Sequence, residues 1–452
     1  MGLEAVRQRK TFLLAVLAVF SAVSLLTYFP VFEGKVPFPA QKVTDFPPFE
    51  SVRTPIAAPA MPAEYGDIAT LFYPWRHFLA STLQSGELPL WNPLILSGTP
   101  FLGNTQSALF YPLNAFFFVL PAPIAWIAKL IVSLMLAGTF TALFVRSIGG
   151  NTVGSISAGV VFALSGLMTA WQATTLTDAM MWLPLICLAV HRLCVVRSDG
   201  WAFALASVAF ALPVLAGHPE TAAQLTVMGC AFAVWQSFSA GLGMRAACRR
   251  LIVFIASGFL AIGLASIQIL PTLEWIGQIG HGLEGPWPTL EAYEWLSFFS
   301  RDVANNPNSS GLLVPESVIY AGMLTLLLAP LAFLSRCKRE SLFFVLVIGI
   351  AVQIVYGVGP VHWLVQHTLV IQSLKNWRVL AIVDFSLGVL AGMGISVSDA
   401  VRMLLVRVAA EKALPFDVKV PNATTVKAMR AANKGKGKRL NSAAALFKDL
   451  GI

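Results

Sequence analysis

His218, Pro219 and Glu220 place an imidazole and a carboxylate two residues apart, between two long apolar runs. Such a pair can hold or pass a proton near neutral pH, since imidazole titrates there; the alternative is a polar turn ordered by the proline. Arg378 follows Lys375, Asn376 and Trp377. Its guanidinium can fork onto phosphate oxygens, or its stem can lie along apolar surface with the charge at the interface. Asp384 falls one to two turns inside the next apolar run. A carboxylate there is costly in lipid and calls for a partner, a neighbouring helix or Arg378. Asp178, between two further apolar runs, is either a site carboxylate or a solvated loop charge. Cys187, Cys194, Cys230, Cys248 and Cys337 form no Cys-x-x-Cys pair. That spacing argues against a zinc site and a disulfide framework, and leaves them as packing residues.

The elements that carry these residues must be solvated by lipid. Of 452 residues, 57% are hydrophobic and 12% charged, with a mean hydropathy of +0.73. Soluble domains carry about 25% charged residues, and a soluble fold of this composition would expose too much apolar surface to stay dispersed. The first run, Thr11 to Pro30, follows Arg7, Arg9 and Lys10 and has the length of a bilayer span. It exceeds a signal-peptide core and lacks an A-x-A site, which predicts a retained signal anchor. Further spans are expected over 122–145, 153–174, 179–196, 201–217, 220–238, 251–271, 312–334, 341–358 and 379–396. Arg146, then Arg192 and Arg197, then Arg245, Arg249 and Arg250, then Arg336, Lys338 and Arg339 fall in alternate connections. A cytoplasmic N-terminus puts those connections inside, as the positive-inside rule requires. The expected fold is an all-α integral membrane protein with about ten transmembrane helices.

Three outer connections are long, 31–121, 272–311 and 359–378. The first holds Tyr73, Trp75, Trp91 and Tyr111 among many Gly and Pro residues, a composition suited to short helices in the interface. Long ordered loops usually carry function, so chemistry is expected on the outer face. The net charge of +9 is uneven: residues 398–452 hold eleven Lys or Arg against four Asp or Glu. The basic tail therefore needs a separate reading.

The segment from Gly66 to Asn114 contains Asp67, then Tyr73-Pro74-Trp75, Gly86, Leu88-Pro89-Leu90-Trp91-Asn92-Pro93, Gly98, Pro100-Phe101, Asn104, Gln106-Ser107 and Phe110-Tyr111-Pro112-Leu113-Asn114. Gly217-His218-Pro219-Glu220 and Leu270-Pro271-Thr272-Leu273-Glu274 follow. Together these closely resemble the YfhO family of bacterial membrane proteins, of the GT-C glycosyltransferase-like class, over about residues 10–394. The resemblance implies sugar transfer from a polyprenyl-phosphate donor to an acceptor outside the cytoplasmic (inner) membrane. It implies a catalytic carboxylate at Asp67, acting as general base or holding a divalent cation, Mg or Mn, against the donor phosphate. The other role for Asp67 is to cap the helix beginning near Ile68. Asp178 matches a second acidic position of the class, and Arg378 a late basic residue that serves the donor phosphate. His218 and Glu220 complete the candidate catalytic set. Family members usually run longer, which implies a truncated membrane domain over 1–394, with activity reduced or lost.

From Ile395 the character changes. Ser398-Asp399, Glu411-Lys412-Ala413-Leu414-Pro415-Phe416, Val420-Pro421-Asn422 and the run Leu446-Phe447-Lys448-Asp449-Leu450-Gly451-Ile452 strongly resemble RelB/DinJ antitoxins of toxin–antitoxin modules. Ser398 or Asp399 is a sound N-cap for an amphipathic helix over Ala400–Leu414 that Pro415 ends. A second helical pattern, Thr424 to Asn433, stops at a cationic stretch containing Lys434, Lys436, Lys438 and Arg439, and a short helix is expected over 442–450. The resemblance implies a RelE-superfamily toxin as partner, met by Leu414, Pro415, Phe416, Val420, Pro421, Leu446, Phe447 and Leu450. The strand and first helix with which the family reads DNA are replaced by membrane helix. Operator binding is therefore not expected, beyond non-specific phosphate contacts. Leu390-Ala391-Gly392-Met393-Gly394 fits both families and marks the junction. Two other readings compete with the transferase: an antitoxin tail on an inert membrane segment, and a transporter. The scarcity of intramembrane charge and of inverted repeats speaks against the transporter.

Overall fold

The computed structural model describes residues 3–52, 65–279, 289–290, 292–299, 320–335, 337–368 and 376–394, with Lys427 and Arg430. The chain divides into two compact units, residues 1–396 and 397–452. In the second, Lys427 and Arg430 are helical and exposed. The helices and toxin-facing residues expected in the tail otherwise lie outside the described residues.

Among the described residues, the regular structure of the first unit is helical apart from one two-stranded hairpin. Helix α1 (Leu3–Thr27) precedes the first connection. Within that connection come α2 (Tyr73–Gln84), strands β1 (Trp91–Asn92) and β2 (Thr99–Pro100), and α3 (Phe116–Val119). The strands pair Trp91 with Pro100 and Asn92 with Thr99 in antiparallel register. Helices α4 (Ala122–Ser147), α5 (Thr152–Ala163), α6 (Gly166–Ala170), α7 (Thr175–Met180), α8 (Leu183–His191), α9 (Gly200–Leu215), α10 (Pro219–Ser239) and α11 (Met244–Ile279) follow. The remainder are α12 (Met323–Leu328), α13 (Lys338–Val355), α14 (Gly359–Gln366) and α15 (Leu380–Met393).

Five helical stretches among the described residues are long and apolar enough to cross a membrane: Arg7–Thr27, Ala122–Ser147, Thr175–Val196, Met244–Ile279 and Asn376–Met393. The pair α13 and α14, bent by 57°, makes a sixth if counted as one span. Of the other runs expected to span, 153–174 and 201–217 hold shorter helices, 220–238 is more polar, and the first part of 312–334 lies outside the described residues. The run over 153–174 is interrupted after Leu164 and again before α7, where Ala173 adopts φ +73°. Helix α9 has 16 residues with Pro213 inside it. Each break frees backbone groups that lipid cannot satisfy; at Ser165 the Gly166 N–H donates to the carbonyl of Tyr320, 2.9 Å away.

Helix α15 lies at the centre. Thirteen of its 14 residues are buried, as befits a helix apolar apart from Asp384 and Ser386. Phe385 stacks on Phe144, with ring centroids 5.9 Å apart, and meets Phe162 edge-on at 5.2 Å. Phe344 joins the same cluster. On the α5 side Gly388 and Gly392 let two backbones approach: a Cβ on Gly392 would strike the Gly154 carbonyl and, at 2.8 Å, the Cβ of Ala158. Small residues four apart are the usual means of such contact in membranes.

The basic connections gather at one end of this unit. Arg146 lies 5.5 Å from the ring of Phe12, just past Arg7, Arg9 and Lys10. Cys337, which precedes Lys338 and Arg339, donates its thiol proton to the Ile148 carbonyl at 3.1 Å. Arg250 donates to the Cys194 carbonyl. The Gly154–Gly392 approach brings the C-terminal end of α15 to this same end. Cys187, Cys194 and Cys337 are buried, Cys230 and Cys248 exposed, and all five are free thiols.

The α5–α15 contact predicts that Gly392→Val destabilises the detergent-solubilised protein by about 1–3 kcal/mol, the usual range for overpacking. Gly258→Val on α11, where a Cβ meets nothing within 4 Å, should stay within about 0.5 kcal/mol of the parent. Thermal melts of both variants followed by size-exclusion chromatography make the comparison.

Candidate functional site

The first connection is bound to the helical unit by buried polar groups. Arg76 on α2 is 1% exposed and donates to the backbone carbonyls of Ser107 and, at 3.4 Å, Gln106. Burial lowers its guanidinium to a pKa of about 10 against the attraction of Asp178. Tyr111 is buried as well. Its hydroxyl donates to the Asp178 backbone carbonyl at 3.2 Å and accepts from Trp182 Nε1 at 3.2 Å. Desolvation, with Asp178 nearby, pushes the Tyr111 phenol well up. Asn114 Nδ2 donates to the Ala108 carbonyl at 2.6 Å, closing the turn between them. Sequence composition places Trp75 and Tyr111 among interfacial aromatics; instead both pack inside the unit, and only Trp91 stays exposed. Tyr111 is drawn inward because its hydroxyl finds two partners there, which the interface would not offer in fixed geometry.

Asp178, in the first turn of α7, is not a solvated loop charge. It is 3% exposed and ion-paired with Lys129 of α4, itself 2% exposed. The Lys129 ammonium also lies 5.7 Å from the centroid of the Tyr111 ring. A charge in lipid survives when it has such a partner. Beside the pair is a narrow cleft lined by Tyr28, Ser133, Thr169, Gln172, Thr177 and Asp178. The Tyr28 hydroxyl donates to Gln172 Oε1 at 2.9 Å, while the buried hydroxyls of Ser133 and Thr177 have no protein partner.

A second pair lies at the N-terminal ends of α10 and α15. Gly217 has φ +90° and abuts the Thr105 carbonyl so closely that any Cβ would collide with it. The Gly-His-Pro-Glu order is thus fixed from both sides. Glycine makes the turn against the first connection, and proline opens the helix at a position where its missing N–H costs nothing. His218 is the N-cap of α10, its Nδ1 accepting from the Thr221 N–H at 3.3 Å. Glu220, in the first helical turn where a carboxylate is favoured, is ion-paired with Arg378. Asp384 is therefore not the partner of Arg378. It is fully buried on α15 near Ser165 and the Leu167 backbone, and neither carboxylate oxygen reaches a group in regular hydrogen-bond geometry.

Asp67 stands apart from these pairs. It is exposed, begins the turn Ile68–Phe72 that leads into α2, and makes no side-chain cap hydrogen bond. The capping role that sequence allows is thus not taken in that form. Ile68 and Phe72 are buried beneath it, so the carboxylate sits on a docked element. Among the described residues no group of three or more His, Cys, Asp or Glu side chains could hold a metal ion. Asp178 and Glu220 are each engaged by a cation, Lys129 and Arg378.

The sequence reading missed Arg76 and Lys129. The signal for Lys129 was present, since it is the only cation among residues 122–145, and an intramembrane charge implies a partner. The family described as bacterial membrane protein YfhO matches residues 105–358, and the RelB antitoxin family matches residues 385–450. The antitoxin DinJ of two Escherichia coli strains is 46% identical over 65 residues, 14% of this chain and 76% of DinJ. No solved structure matches the chain. The YfhO match covers more than half of the sequence, so the chain belongs to the YfhO family of bacterial membrane proteins and carries a RelB/DinJ antitoxin region behind its membrane unit.

Proposed function

We propose that the membrane unit is a GT-C-type glycosyltransferase working on the outer side of the cytoplasmic membrane, with both chain ends in the cytoplasm. The observation that carries the reading is Asp67, an exposed carboxylate at the start of the turn that leads into α2, the helix that buried Arg76 ties to the first connection. In this reading the Asp67 carboxylate takes the proton of an acceptor hydroxyl. The hydroxyl oxygen then bonds to the anomeric carbon of the donor sugar. The sugar–phosphate bond breaks, and polyprenyl phosphate leaves with the electron pair. Arg378 meets the donor phosphate by exchanging its Glu220 partner for phosphate oxygens, while His218 keeps the turn that presents Glu220. No step is routed through a divalent cation. Asp178 acts as an anchor with Lys129 rather than as a second reacting carboxylate.

The orientation rests on the basic connections collected at one end. Reporter fusions after Arg146 and Arg250 should read as cytoplasmic, and fusions at Pro59 and Asn306 as external; an external Arg146 would reverse the site.

Asp67→Asn should abolish transfer from a labelled polyprenyl-phosphate sugar while the protein still inserts and purifies. Full turnover in that variant would remove Asp67 from the chemistry. Lys129→Met should lower the yield of folded protein, since leaving Asp178 buried and unpaired costs about 3–5 kcal/mol. Adding Asp178→Asn should restore the yield. If the restored double variant lacks transfer activity although Asp67 is intact, Asp178 is a reacting group and not an anchor.

The C-terminal region supports a second, separate role. An antitoxin region implies a toxin partner, and we propose one of the RelE superfamily, with Leu414, Pro415, Phe416, Val420, Pro421, Leu446, Phe447 and Leu450 as contacts. These residues lie outside the described ones, and the assignment rests on the 46% identity to DinJ.

A further inference from the structure

The antitoxin match begins at residue 385, whereas α15 runs from Leu380 to Met393. Residues Phe385 to Met393 therefore belong both to the antitoxin-like stretch and to the central helix of the membrane unit. They are not a linker. Eight of these nine residues are buried. Phe385 stacks on Phe144 and meets Phe162 edge-on, and Gly388 and Gly392 lie against the backbone of α5. Freeing this stretch would open the aromatic cluster and expose α5, so the start of the antitoxin region cannot leave the membrane while the unit stays folded. Met393 ends at the end of the unit where Arg146 and Cys337 lie.

We infer that the chain is a membrane-fixed capture site, which moves a soluble toxin protein from solution to the basic face of the membrane. The inference rests on the reading that the tail binds a toxin, and adds where the complex resides. A soluble antitoxin and its toxin diffuse together; here one partner is held by a helix packed on all sides, so the complex has the location of the membrane unit.

The test expresses the full chain with a tagged copy of the toxin that the Escherichia coli antitoxin DinJ neutralises, then separates membrane from soluble fractions. With the full chain the toxin should shift from the soluble to the membrane fraction. With a variant ending at Ser396 it should remain soluble. A site-specific protease sequence inserted between Ser396 and Val397 supplies the causal arm: cleavage of isolated membranes should release toxin and tail together. A pull-down on the detergent-solubilised full chain distinguishes the two ways of failing. Toxin that co-purifies in detergent yet stays soluble in cells overturns membrane capture and leaves the toxin reading standing. Toxin that does not co-purify at all overturns both.

Discussion

A backbone in lipid has no water to fall back on, and a helix without polar residues gains nothing from one apolar neighbour over another except by fitting closely. That constraint decides the place of α15. Apart from Asp384 and Ser386 its residues are apolar, and two glycines four positions apart let it come within backbone contact of α5. The phenylalanines of α4, α5 and α13 then close on Phe385 from the remaining directions. Once α15 is enclosed, its N-terminal turn has a fixed position, and with it Arg378 beside Glu220. The candidate site is thus held by packing deep in the unit.

The same constraint explains the ion pairs of Asp178 and Glu220. Asp178 with Lys129 and Glu220 with Arg378 each join elements distant in sequence, α7 to α4 and α10 to the turn before α15. Breaking one partner of a buried pair leaves an uncompensated charge, so each pair specifies which elements meet more strongly than it adds net stability. Between the pairs runs the stretch Asn104–Tyr111. Its Thr105 carbonyl touches Gly217, and its Tyr111 hydroxyl binds the backbone of Asp178. The first connection is therefore shaped by the helical unit and in turn determines where Asp67 stands.

Length and hydropathy made the membrane class and the long helices legible. Ala122–Ser147 and Met244–Ile279 contain the runs at 122–145 and 251–271, and Leu3–Thr27 holds all but the last three residues of the run at 11–30. What those signals could not deliver was continuity. The run over 153–174 carries no charged residue, yet it breaks at Ser165, where Tyr320 supplies a carbonyl to Gly166, a contact 154 residues away that no local pattern encodes. In the site, His218, Glu220 and Arg378 were legible as residues but not as partners. The sequence leaves Asp384 to pair either with a neighbouring helix or with Arg378, whereas the structure gives Arg378 to Glu220 on α10. Tyr111 read as an interface aromatic because its composition cannot reveal two buried hydrogen bonds.

The junction of the two family resemblances is governed by the same packing. Leu390-Ala391-Gly392-Met393-Gly394 meets the needs of a membrane helix that must end. Gly392 permits the close approach to Gly154, and the Gly394 N–H returns to the carbonyls of Leu390 and Ala391 at 3.0 and 3.1 Å. A small residue followed by a helix-terminating glycine is equally compatible with a soluble amphipathic helix, because neither feature depends on the solvent around it. What distinguishes the two settings is the stretch before it. Phe385, Leu387 and Val389 are buried here alongside Ser386 and Gly388, so no polar face remains for water. The antitoxin-like sequence therefore starts on a helix that only the membrane unit can solvate, and any function of the basic region begins from that fixed end.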